Sequence, residues 1–180
     1  MTPMTEAITW DSTGLIAQNP NLVRSKVPDK FSDLILLAVA DVEFQLKYND
    51  KFVIDMESWI RDSSGLCSAC LAGCTIMTSF PNAIVHYTVE RKHARFDVNW
   101  EFVRRNKDYA RITSSLNAIR SGFIITALDI FTDDEYKMTY AQEEAMLKKA
   151  DFVTYKPTDR VEPFLTGLKK IAKQLKQLNL

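Results

Sequence analysis

The chain has 180 residues, 46% of them hydrophobic and 26% charged, which fits one globular domain with a real core and excludes disorder as the default state. Lys plus Arg and Asp plus Glu each number 23, so the formal net charge is zero. No global field then draws the chain to nucleic acid or to an anionic membrane, and nothing in the charge opposes self-association.

Five Gly and six Pro are too few for a sandwich of strands and turns. The expected fold class is therefore mainly α: a single helical domain over 29–180 with a central apolar helix and a minor β element. Residues 1–28 lack a sustained period, and Trp10, Leu15, Ile16, Leu22 and Val23 are scattered among Asn, Pro and Thr. They read as an N-terminal arm that lies on the body or frays. The start has neither a basic region nor an apolar run of the signal-peptide kind. No stretch reaches the roughly 18 consecutive apolar residues of a membrane span.

Pro28-Asp29 opens the first predicted helix, about Asp29 to Lys47, with Phe31, Ile35, Ala38, Val42 and Leu46 at helical spacing. Phe52 to Met56 alternates and predicts a short β element. Leu66 to Phe80 is apolar or small on nearly every face, which predicts a helix in the centre of the domain. Ala83 to Val89 alternates, with β-branched residues, and predicts a short strand. Residues 90–108 are polar and read as part helix, part loop.

Tyr109, Ile112, Leu116 and Ile119 predict a helix to Ser121, with Gly122 as a C-cap or a point of close packing. Phe123 to Phe131 continues as buried helix. Thr132-Asp133-Asp134-Glu135 reads as a capping box for a helix to about Ala150. Asp159 and Glu162 signal the start of the last helix, which runs to about Leu178. Its stripe of Val161, Leu165, Leu168, Ala172, Leu175 and Leu178 is close to a seven-residue repeat.

The sharpest local motif is Cys67-x-x-Cys70-x-x-x-Cys74. Four ligands are needed for a zinc site, and His86 and His93 form no spaced pair with these cysteines. Spacings of three and four place the sulfurs on one helix face, so they are expected in the core, as reduced thiols holding no metal. No cofactor is expected. The chain carries no Gly-rich phosphate loop, no His-Glu-x-x-His and no Gly-x-Ser-x-Gly, which lowers the expectation of an enzyme of a familiar type.

Two segments are candidates for binding. Trp59 and Arg61 stand beside a loop. Trp100, Arg104 and Arg105 belong to a stretch that mixes basic and aromatic residues from Arg91 to Arg111. Glu90, Asp97, Glu101 and Asp108 are interleaved there, which argues against nucleic acid as the partner and for a solvated or protein-contacting face. On the last helix, Leu165, Leu168 and Leu175 could serve the domain's own core or, across a two-fold axis, a homodimer.

Met56-Glu57-Ser58-Trp59 followed by Leu66-Cys67-Ser68-Ala69-Cys70-Leu71-Ala72-Gly73-Cys74 resembles small uncharacterised proteins encoded by tailed bacteriophages. Asp33 to Glu43 is similar to their first helix, and Leu116-Asn117-Ala118-Ile119-Arg120-Ser121-Gly122 to a downstream Leu-x-x-x-Arg-x-Gly element. The resemblance covers residues 33–128 and departs from the pattern at Ile60, in place of histidine, and at Cys74, in place of alanine. It carries no activity. It implies a phage origin, and so a place in the cytoplasm of the infected bacterial host or in the virion. The leading expectation is a non-enzymatic accessory protein that binds a host or phage protein. The alternatives are a small-ligand-binding protein or enzyme with a pocket near Trp59 and Arg61, and a structural virion component.

Overall fold

Phe31, Leu34, Ile35, Ala38, Val39 and Val42 recur every three or four residues, and in the fold they form the buried stripe of helix α1 (Phe31–Tyr48). The computed structural model describes residues 8–18, 21–24, 26–57, 59–63, 66–89, 93–133, 135, 138–156 and 159–180, with the backbone alone at 63, 85–89, 93–98 and 100. The fold is mainly α with a minor β element, in a single domain.

Three short strands follow α1: β3 (Phe52–Ile54), β4 (Ile60–Ser63) and β5 (Leu66–Ala69), numbered after a ribbon of β1 (Thr9–Trp10) and β2 (Ala17–Gln18). β5 lies between β3, which it pairs in parallel, and β4, which it pairs antiparallel. Leu66–Ala69 is therefore strand, and the predicted central helix is shorter than expected. It is α2 (Leu71–Ser79), and every one of its nine residues is buried. The small apolar residues of 66–70 satisfy a strand as well as a helix, and the backbone of β3 settles the choice.

Gly73 explains how closely α2 can approach the sheet. A Cβ built there would lie 1.6 Å from the Trp59 carbonyl oxygen. That carbonyl also accepts a hydrogen bond from Cys70 N–H at 3.2 Å.

After a 3-10 turn at Pro81–Ala83, β6 (Ile84–Val89) and β7 (His93–Val98) form an antiparallel hairpin, and β7 leads through Asn99 into α3 (Trp100–Arg105). β7 corrects the reading of 90–108 as helix and loop. Asn99 Oδ1 accepts from Phe102 N–H at 2.9 Å and caps α3.

Helix α4 (Lys107–Arg120) buries Tyr109, Ile112, Leu116 and Ile119, as their spacing predicts. Gly122, at φ +84°, ends it: Phe123 N–H reaches the Ala118 carbonyl at 3.2 Å and Gly122 N–H the Ile119 carbonyl at 3.0 Å. This is a Schellman cap, so Gly122 is needed for its left-handed backbone.

α5 (Ile124–Thr132), α6 (Tyr140–Ala150) and α7 (Val161–Gln177) complete the domain. Two capping expectations are corrected. Asp133 is the left-handed residue that terminates α5, and Thr132 lies inside that helix. The capping box is Thr139 with Gln142, at the start of α6. Asp159 does not cap α7; its carboxylate accepts from Lys156 N–H at 3.2 Å. Asp134 and Pro157 lie outside the described residues.

α7 runs antiparallel to α1, with Lys169 on Glu43 at 2.6 Å and Lys176 near Asp33 at 3.6 Å. Phe164, Leu165, Leu168, Ile171, Ala172 and Leu175 are buried in the chain's own core.

The arm is held by polar side chains. Asp41, Gln45 and Asn49 lie four apart, along one line of α1 and its C-cap. Gln45 Nε2 donates to the Ala17 carbonyl at 2.7 Å and to Thr78 Oγ1 at 2.9 Å. Asn49 Nδ2 donates to the Leu15 carbonyl at 2.8 Å and to Gln45 Oε1 at 2.9 Å. Ser79 Oγ donates to Asp41 Oδ2 at 2.5 Å. These bonds fix Leu15, Ile16 and Ala17 in the core, so this part of the arm is an integral layer of the domain.

Candidate functional site

The three cysteines are buried, but they do not share one helix face as their spacing predicts. Cys67 is on β5, Cys70 is the N-cap of α2, and Cys74 is one turn into that helix. Burial pushes the Cys67 thiol up to about 12, and the Asp11 and Asp62 charges add to the effect. Burial also raises Cys70 and Cys74, the latter strongly, with Asp41 the next contributor to its shift. Thiols so placed stay protonated at neutral pH and are poor nucleophiles and poor metal ligands. Cys67 Sγ lies 3.6 Å from Met77 Sδ, as packing in a core would have it. Among the described residues no group of three or more His, Cys, Asp or Glu is placed to hold a metal. The side chains of His86 and His93 lie outside the described residues.

Trp59 immediately precedes β4, half-buried against the core, and Arg61 stands exposed on β4 opposite Ser68. Arg104 and Arg105 are exposed on α3, and Arg105 pairs with Glu101 at 2.5 Å. The side chain of Trp100, the first residue of α3, lies outside the described residues. β4 packs against β7, and β7 leads into α3, so the fold makes neighbours of two candidate segments that lie some forty residues apart in sequence.

Leu165, Leu168 and Leu175 are 4%, 0% and 0% exposed. The own-core use of these leucines is the one the structure adopts. A contact between copies through them would require the core to open. On this stripe Leu178 is the exposed exception.

Sequence reasoning missed a second region as a site. The Gly122 turn faces the extended segment that follows α6, and a cavity of about 330 Å³ lies there, lined by Met56, Glu57, Arg120, Ser121, Thr154, Tyr155 and Lys156. A neighbouring groove of about 670 Å³ shares Ser121, Thr154 and Lys156 and adds Gly122, Phe123, Glu143, Leu147, Phe152, Val153 and Asp159. Phe123 is 59% exposed at its rim. Arg120, half-buried, donates through Nη1 to the Met56 carbonyl. Burial raises the Tyr155 hydroxyl, and the charges of Asp159, Asp55 and Glu162 raise it further. In sequence, Arg120 stands out only as part of the Leu-x-x-x-Arg-x-Gly element. An arginine in the last turn of a helix is ordinary, and only its contact with Met56, 64 residues away, sets it apart.

No known family profile, no curated protein and no solved structure matches the chain. None of the described helices is long and apolar enough to cross a membrane.

Proposed function

We propose that the chain is a phage-encoded accessory protein of the infected bacterial cytoplasm that acts by binding a host or phage protein rather than by turnover. The observation that carries this reading is the packing of β4 against β7, the strand that leads into α3. It sets the strand bearing Arg61, with Trp59 just before it, against the strand that leads into the helix bearing Arg104 and Arg105. Tryptophan and arginine are enriched among residues that dominate protein interfaces, because each brings a large contact area and a directional polar group. The Glu101–Arg105 pair fits the polar rim of such a surface. The resemblance of residues 33–128 to small phage proteins supports the phage setting.

The test is affinity capture from infected and uninfected bacterial lysates, with the parent chain beside Arg61→Glu/Arg104→Glu. One stoichiometric partner held by the parent and lost by the variant is expected. Both substitutions are on exposed side chains, so the variant should fold. A partner retained equally by both proteins, or none in either lysate, overturns the reading.

A further inference from the structure

Arg120 is a cation whose surroundings do not complete it. Arginine carries five donors and remains charged at every accessible pH. The guanidinium of Arg120 has one hydrogen-bond acceptor among the described residues, the neutral Met56 carbonyl, and its Nε is enclosed without a partner. No described carboxylate pairs with it. Arg111, on the same helix, shows the contrast. Its Nε is likewise without a partner, but its guanidinium lies 4.4 Å from the centre of the Phe131 ring, donates to the Phe131 carbonyl at 3.2 Å and faces Asp108 at 3.6 Å. The charge of Arg111 is answered inside the chain.

The cavity beside Arg120 holds a second cation without an ion pair among the described residues, Lys156, and the hydroxyl-bearing Ser121 and Thr154. Glu143 and Asp159 line the adjoining groove, where each accepts a backbone N–H, from Ile125 at 3.0 Å and from Lys156 at 3.2 Å, and both remain carboxylates beside the cavity. Glu57 also lines the cavity, leaving two cations against one carboxylate there. That balance, with the acidic residues around Tyr155, favours a ligand with one negative charge over a dianion. The adjoining groove offers Phe123, Leu147 and Phe152 to an apolar body.

We propose that this cavity and groove bind a small carboxylate attached to an apolar group, with Arg120 and Lys156 holding the carboxylate. The site shares no residue with Trp59, Arg61, Arg104 or Arg105 and does not depend on the protein-binding reading.

The test is titration of the full chain with phenylacetate, followed by amide chemical shifts and calorimetry, with benzyl alcohol as the neutral control and phenyl phosphate as the dianion. Saturable shifts at 56–57, 120–123 and 152–156 are expected with phenylacetate, and weaker binding of the two controls. Lys156→Gln, on the surface, should weaken phenylacetate about tenfold, as loss of one charge-assisted contact does, and Arg120→Gln at least as much. Glu57→Gln should tighten it. Because Lys156→Gln leaves the Met56 contact intact, it keeps the test valid should Arg120→Gln unfold. No saturable binding by about 10 mM, a millimolar limit that marks very weak affinity, overturns the proposal. So does equal binding of benzyl alcohol, tighter binding of phenyl phosphate, or affinity unchanged in Lys156→Gln.

Discussion

Along α1, the polar side chains Asp41, Gln45 and Asn49 all find partners inside the chain, whereas at the end of α4 Arg120 finds, among the described residues, a single neutral one. The first region is closed. Its donors and acceptors answer one another across α1, α2 and the arm, and burial there costs little because the bonds are made. The second is open: two cations, three carboxylates, three hydroxyls and an exposed aromatic line a cavity and its groove. Buried polarity serves architecture where it is satisfied, and points to a ligand where it is not.

The largest effect should come from the closed region. Gly73→Ala puts a methyl 1.6 Å from the Trp59 carbonyl oxygen, a backbone atom that cannot swing aside. The helix and sheet must separate, and the loss should reach about 3 kcal/mol or more, read from urea unfolding. A loss below about 1 kcal/mol would show that α2 can shift freely, and the region would not be closed.

Gln45→Ala comes next. It strips partners from the Ala17 carbonyl, Thr78 and Asn49 together. Leaving buried groups unsatisfied should cost about 2–3 kcal/mol. Hydrogen exchange should quicken at residues 15–18 before the rest of the domain. Uniform exchange would mean that the arm is held by packing alone.

These two sites also show what is legible in the sequence. The stripes of α1, α4 and α7 are local patterns, and each forms near its expected bounds. Leu66–Ala69 reads as helix because strand β5 is defined by its parallel partner β3, which the local composition does not report. Gln45 and Asn49 look like the polar end of a helix, since their acceptors lie 28 and 34 residues away. Arg120 is invisible as a site for the same reason. Trp59 and Arg61 are noticeable as residue types, but the packing of β4 on β7 joins residues more than thirty apart in sequence and has no local signal.

Asp41 sharpens the comparison through pH. Burial raises its carboxyl well above the ordinary range, against the Ser79 hydrogen bond and the Arg24 charge, which lower it. The folded state therefore holds the proton more tightly than the unfolded chain. Its contribution is fully present below the unfolded pKa, near about 4, and is lost as pH rises toward the folded value. Inside that window the loss approaches about 1.4 kcal/mol per pH unit. Asp41→Asn does not titrate and keeps an acceptor for Ser79. Its stability relative to the parent should rise with pH, in urea midpoints taken at several pH values. A difference that stays constant across pH would mean that Asp41 is not held this way.

The smallest effect is expected at the rim of the open region. Phe123 is 59% exposed, and it is the N-cap of α5, where its side chain accepts no hydrogen bond. Serine is a preferred N-cap residue, because its hydroxyl can accept from the first turn of the helix. The Gly122 cap and the Phe123 carbonyl, which receives Ala127 N–H at 3.0 Å, are backbone features that survive the change. Phe123→Ser should thus leave stability within about 0.5 kcal/mol of the parent, or raise it slightly, while removing apolar surface beside the groove. Phenylacetate binding should weaken in the same protein. A stability loss of about 2 kcal/mol would place Phe123 among the packed residues, and the groove would then be part of the architecture rather than a surface kept open for a ligand.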